Sequence, residues 1–357
     1  MIRSNSRLVL PTITILVLNS LAPSAHAGDI VARRMQEFVA AKQFSGSVTL
    51  VAQQGEVVCR SAVGLADIET DRPMATDSMF AIASMTKPIT ATALMILQDE
   101  GQLSVDDPVA KYIPQFKNLS LDSGPAKTEM TIRHLLTHTS GLGGEQRCIG
   151  SLQETVEELA TRKLSFEPGT KWQYSPGLNV CGRIIEVVSG KVYDEFLAER
   201  IFQPLKMADT TFTPNESQRN RIAKLYQPSE DKQSLVPASH WLTDLSGDIV
   251  PNPSGGLFST ASDMAAFYQM ILDGGEFDGK QIVSSAAVKQ MTTIQTGDIV
   301  TGFTPGNGWG LGWCVVREPQ GVTEHVSAGT FGHGGAFGTQ GWVDPEMQTI
   351  YVLMIQR

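Results

Sequence analysis

The stretch Phe80-Ala-Ile-Ala-Ser84-Met-Thr-Lys87-Pro-Ile-Thr-Ala-Thr-Ala-Leu-Met-Ile-Leu-Gln-Asp-Glu100, followed by Gly101, decides how this chain is read. Ile89, Ala93, Ile96 and Leu97 recur at helical spacing, which predicts a helix over 86–100 that Gly101 closes. Ser84 stands at the opening of that helix, and Pro88 falls in its first turn, where a missing N–H costs nothing. Lys87 follows Ser84 by three residues, so the two side chains share a face and the ammonium can reach the hydroxyl. A serine hydroxyl is a weak nucleophile at its own pKa. A lysine partly buried at an apolar helix start can lose its proton and act as base, while the helix N-terminus supplies N–H donors. The pattern fixes only two residues, and Ser229-Glu-Asp-Lys232 repeats it inside a polar segment, so the surroundings must decide between them.

Outward from this helix, the N-terminal side offers helical spacing over Ile30 to Lys42, then the runs Ser47 to Ala52 and Glu56 to Arg60 around a Gln-Gln-Gly turn. That predicts a helix and a hairpin. The C-terminal end holds strand-like runs over Gly310 to Arg317, Gly341 to Asp344 and Thr349 to Met354. Between the two ends most periodic segments are helical: Thr131 to Thr137, Leu152 to Arg162, Val180 to Ser189, Tyr193 to Ile201 and Ser262 to Leu272. Residues 215–253 are polar and punctuated by proline, and read as a long loop or irregular flap of the kind that often covers a site.

Of the 357 residues, 41% are apolar and 18% charged, which is the make-up of an ordinary globular protein. A net charge of −9 with no basic run argues against nucleic acid as a partner. No phosphate-binding loop, dinucleotide-binding glycine fingerprint or G-x-S-x-G elbow is present, so ATP, NAD and the α/β-hydrolase mechanism lose their main support. Residues 1–27, with Arg3 and Arg7, an apolar stretch over Leu8 to Leu21 and Ala25-His26-Ala27, have the form of a secretory signal peptide and are too short in apolar length for a stable membrane anchor. Periplasmic or secreted placement is the expectation. Cys59, Cys148, Cys181 and Cys314 have no metal-ligand spacing, and could form up to two disulfides or be small buried apolar residues. His134 and His138, at i and i+4, lack the glutamate that a zinc protease places after the first histidine, so a structural role is expected. Neither a metal nor a cofactor is called for.

Around Ser84 the chain resembles the serine β-lactamase-related superfamily: class C β-lactamases, DD-peptidases, D-aminopeptidases and family VIII carboxylesterases. Six blocks in order carry the resemblance: Ser84 to Lys87 with its helix, Leu103 to Pro114, His134 to Leu142, Pro168 to Ser175, Ile201 to Met207 and Gly255 to Thr260. It implies an α/β (α+β) fold of β-lactamase/transpeptidase type. An antiparallel sheet flanked by helices would come from about 28–83 and 255–357, with a mainly helical region, about 84–254, inserted. It further implies that Ser84 forms an acyl-enzyme with the help of Lys87 and of Tyr174, whose phenol would move the serine proton to the leaving group. His333, Gly334 and Gly335 match the third family motif, with His333 facing substrate, and the N–H groups of Ser84 and Ala336 would form the oxyanion hole.

Two departures narrow the substrate. Lactamases and DD-peptidases have Tyr-x-Asn, whose amide grips a substrate carbonyl, whereas this chain reads Tyr174-Ser175-Pro176; and their cationic third-motif lysine is replaced by His333. The expected function is therefore a secreted serine carboxylesterase on small esters, with weak β-lactam hydrolysis. The alternatives are a β-lactamase or D-amino-acid peptidase and, in another class, a penicillin-binding receptor or inactive scaffold. Asn179, also in this block, receives no physical role from the sequence.

Overall fold

A computed structural model describes residues 27–144, 146–174 and 176–357; residues 1–26, on which the leader expectation rests, lie outside them. Among the described residues no helix is long and apolar enough to cross a membrane.

The hairpin of β1 (Gly46–Gln53) and β2 (Glu56–Asp67) forms as expected, with β3 (Arg72–Pro73) beyond it. The chain returns to the same sheet with β4 (Asn307–Trp309), β5 (Cys314–Val316), β6 (Phe331–Gly334), β7 (Gln340–Asp344) and β8 (Thr349–Ile355). The order is β4-β5-β6-β7-β8-β1-β2-β3, antiparallel throughout, with β1 beside β8 so that Val48 faces Met354 and Leu50 faces Val352 across the join. Strands from opposite ends of the chain thus share one core. Val48, Leu50 and Ala52 are buried, and so are Ser47 and Thr49 on the alternate face, which shows that both faces of β1 are covered.

The helices are α1 (Ala27–Ala40), α2 (Thr86–Asp99), α3 (Ile132–Leu136), α4 (Leu152–Leu159), α5 (Gly177–Ser189), α6 (Tyr193–Leu197), α7 (Glu216–Arg219), α8 (Ala261–Leu272) and α9 (Ser285–Thr292). The first packs on β2, and α8 on β8 and β1. Helix α2 is buried all round from Thr86 to Leu97 rather than on one stripe, because α5 and α9 cover its other sides. Its threonines stay satisfied inside: Thr92 donates to the Pro88 carbonyl and Thr90 to that of Pro253. Helix α9 has no counterpart in the sequence reading. Its cap is nonetheless local, with the Ser284 hydroxyl accepting from the Ala287 N–H.

Residues 215–253 are less irregular than expected, holding α7, a short hairpin of Tyr226–Pro228 with Leu235–Pro237, and a turn at Trp241–Thr243. All four cysteines are buried and free of disulfides, as small apolar residues would be.

Candidate active site

Ser84 lies in a single 3-10 turn, Ala83–Met85, that runs directly into α2. The turn is pinned from both sides. Before it, Phe80–Ala81 pairs with Phe258–Ser259, and the Ile82 N–H donates to the Leu257 carbonyl. From just before β7, the Thr339 hydroxyl donates to the Ile82 carbonyl. That close approach requires Gly335: a Cβ there would stand 2.1 Å from Thr339 Oγ1 and 2.5 Å from the Ile82 carbonyl oxygen. The residue before the serine, Ala83, takes a φ of +45°, a left-handed conformation kept only where the surroundings over-determine it.

Lys87 is 2% exposed, and its Nζ donates to Ser84 Oγ at 3.1 Å and to the Ser254 carbonyl at 2.6 Å. It also lies 4.5 Å from the centroid of the Tyr174 ring. The Tyr174 hydroxyl is buried without a hydrogen-bond partner at good geometry among the described residues. Burial pushes its pKa up, while Ser84 beside it pulls the other way and only partly offsets the rise. The resting group is a phenol. The other Ser-x-x-Lys match, Ser229 to Lys232, lies in the turn of the short Tyr226–Pro228/Leu235–Pro237 hairpin, with Lys232 exposed.

A cavity of about 280 Å³ opens over Ser84 and Lys87. Its walls include Tyr174, Pro176 and Ala336, with Trp241 and Leu242 from the 215–253 segment on the far side. Of the described side chains that line it, Lys87 is the only lysine or arginine, and its Nζ is bound to Ser84 Oγ and the Ser254 carbonyl.

His333 is placed differently from the sequence expectation. It is 5% exposed on β6, does not line the cavity, and lies behind Tyr174 with ring centroids 6.0 Å apart and Trp309 at 5.6 Å. Its Nδ1 is 2.6 Å from the Gly334 carbonyl, which can only accept, so the neutral ring carries its proton there. Burial and the neighbouring Lys87 push its pKa down to about 3. Gly334 and Gly335 complete the turn beside it, and of this group Ala336 alone borders the cavity.

His134 and His138 part company. The i, i+4 argument needs a continuous helix, but α3 ends at Leu136 and His138 takes a φ of +57°. His134 accepts the Thr131 N–H in a capping box, whereas His138 turns inward against Tyr174, ring centroids 4.5 Å apart. Burial, then Lys87 and His333, hold its pKa well below the usual range. Among the described residues no group of three or more His, Cys, Asp or Glu side chains could hold a metal ion.

His138 and His333, both held neutral by burial, give the fold a pH dependence of definite sign. Unfolded, each would titrate near 6.5; folded, His333 does so near 3, so the unfolded chain binds more protons below pH 6.5. Stability therefore falls as pH drops from 7 toward 5, by up to about 1.4 kcal/mol per pH unit for each histidine at the lower end. Thermal unfolding measured across that window, above the carboxylate range, should show a falling Tm, and a shallower fall in His333→Gln; a flat Tm would show that these rings titrate in the fold as they do in the unfolded chain.

The site thus brings a buried lysine onto a serine hydroxyl at a helix start, with a tyrosine beside them and a small cavity in front. The chain belongs to the Beta-lactamase family, which it matches over residues 31–357. It is 30% identical over 365 residues to the esterase EstB of Burkholderia gladioli, covering 92% of this chain and 90% of that one. Penicillin-binding protein 4 of Amycolatopsis lactamdurans is 33% identical over 289 residues, covering 78% and 71%. Among solved structures, EstCE1, described as a hydrolase with promiscuous acyltransferase activity, superimposes with a TM-score of 0.77 at 23% identity over 90% of this chain and 91% of that one, a likeness of fold.

The sequence reading missed Asn179, Asn252 and Ser254. The Ser254 carbonyl holds Lys87, and the Ser254 N–H is in turn held by the Oδ1 atoms of Asn179 at 3.0 Å and Asn252 at 2.9 Å. No local motif marks a carbonyl as a ligand for a lysine 167 residues away.

Proposed function

We propose that the protein is a secreted carboxylesterase acting on small, uncharged esters, with Ser84 as nucleophile. Its carrying observation is the 3.1 Å Lys87–Ser84 hydrogen bond inside a cavity that, among the described side chains, has no second lysine or arginine to meet a substrate carboxylate. Lys87 in its neutral form takes the Ser84 proton as Oγ bonds to the acyl carbon. The oxyanion so formed is met by the N–H groups of Ser84 and Ala336, which matter only once that charge develops. Tyr174 then gives its proton to the departing alkoxide and is recharged from Lys87, a direction favoured by the raised phenol pKa. Water releases the acyl group by the reverse sequence.

Trp241, Leu242 and Pro176 give the cavity apolar walls, which suit an alkyl or aryl group. Pro176 stands where amide-cleaving relatives place the asparagine of Tyr-x-Asn, and a proline can donate nothing to a substrate carbonyl. The test is turnover of a short-chain 4-nitrophenyl ester against a chromogenic cephalosporin by the mature chain. We expect kcat/KM about a hundredfold or more higher on the ester, the order by which a pocket without the matching polar group discriminates. Comparable or faster lactam turnover would transfer the protein to the β-lactamase or D-peptidase branch, and a single equivalent of product followed by a halt would make it a penicillin-binding receptor.

A further inference from the structure

We infer that Asn179, together with Gly182 one turn on, forms a socket in α5 that positions the general base Lys87 through the 252–255 loop. The inference rests on the proposed role of Ser84 and Lys87 and adds a residue to which nothing in the sequence gave a task.

The Ser254 carbonyl holds Lys87 Nζ at 2.6 Å, closer than the 3.1 Å between that nitrogen and Ser84 Oγ. Where that carbonyl stands therefore fixes where the base stands. Three contacts set its place. Thr90 of α2 donates to the Pro253 carbonyl at 2.7 Å and is itself paired with the Tyr193 hydroxyl at 2.6 Å. Asn252 Oδ1 accepts the Ser254 N–H while its Nδ2 donates to the Gln146 carbonyl at 3.0 Å, so this side chain ties the loop to the 146 segment but not to a helix. Asn179 Oδ1 accepts the same N–H from a rigid helix 75 residues away in sequence. Gly182 leaves the room this needs: a Cβ there would meet Pro253 Cγ at 2.3 Å, and a proline ring cannot swing aside.

The amide of Asn179 is otherwise a poor choice for its position. The residue is 0% exposed, and its Nδ2 has no hydrogen-bond partner among the described residues. Burying an unpaired donor is costly, and a leucine would fill much the same volume without that penalty. What leucine cannot supply is the acceptor for Ser254, and through it the seat of Lys87.

A misplacement of about 1 Å in a catalytic group costs on the order of a hundredfold in rate without changing what the site binds. The readout is phosphonylation of the full protein by a 4-nitrophenyl alkylphosphonate. The Ser84 Oγ–phosphorus bond forms, 4-nitrophenolate leaves, the serine proton passes to Lys87, and peptide mass mapping confirms the adduct on Ser84. In Asn179→Leu we expect kinact to fall about a hundredfold with KI within threefold. Asn179→Asp, which keeps the acceptor, should recover to within tenfold of wild type. Gly182→Ala, which pushes the same loop from a different atom, should show the same loss in kinact alone, and keeps the inference testable if the leucine variant does not fold. A leucine variant within threefold of wild type, an aspartate variant as slow as the leucine one, or a Gly182→Ala variant of unchanged kinact would each overturn it. Absence of wild-type labelling at Ser84 would instead bring down the nucleophile assignment and this inference with it.

Discussion

Replacing Ser84 by alanine should lower ester turnover by about 10⁴-fold or more, to the level that binding and oxyanion contacts sustain without a nucleophile. The loss should fall on kcat, because the removed oxygen makes its bond only in the reaction. The cavity walls Trp241, Leu242 and Pro176 are left in place by the change, so KM should change little. The fold should be unaffected. Ser84 is half-buried, its hydroxyl accepts from Lys87 rather than capping α2, and Ala83 beside it already places a methyl group in the same turn. Steady-state kinetics, with intact mass spectrometry after a brief exposure to substrate, check both halves: the acyl adduct seen on the wild type should be missing from the variant. Ester cleavage surviving within tenfold, or an adduct persisting on another residue, would remove the mechanism while leaving the fold intact.

How far the site could be read in advance follows the range of its contacts. Ser84 and Lys87 are three residues apart, so helix geometry alone brings them together, and the structure gives 3.1 Å. Tyr174 and His333 sit far off in sequence and became candidates only through resemblance. Resemblance put Tyr174 against Lys87 but placed His333 toward substrate, and the ring is instead shut in behind Tyr174 by Trp309. The His134 and His138 spacing gives the two rings no shared face because a helix of five residues has already ended. Strand composition marked both chain ends as sheet, yet nothing periodic says that β8 lies beside β1; that pairing follows from burying both apolar faces at once. Helix α9 went unread because its short amphipathic run is carried by one serine cap and by packing against α2. Asn179 was visible as a letter and silent as chemistry, since its partner is a backbone N–H that only the fold supplies.

Lys87→Met should separate activity from stability most sharply. Methionine keeps the unbranched stem and approximate volume of lysine, so packing under α5 and beside Tyr174 is nearly conserved. What goes is the base, and turnover should fall about 10³-fold, within the span that a positioned proton acceptor contributes. The fold gains on balance. At 2% exposure the charged form of Lys87 gives up its water, at an effective penalty of several kcal/mol, and recovers that through Ser84 Oγ, the Ser254 carbonyl and the Tyr174 ring. Deleting the charge removes penalty and recovery together, leaving the Ser254 carbonyl short of one donor at a cost of about 1–3 kcal/mol. We therefore expect a Tm no lower than that of the wild type alongside the loss of activity, measured by calorimetry and ester kinetics on the same preparation. A Tm lower by more than a few degrees would mean that Lys87 is held for structure, and turnover within tenfold would mean that Ser84 draws its base from elsewhere. The expected pairing, inactive but no less stable, marks a buried charge kept for chemistry against the preference of the fold.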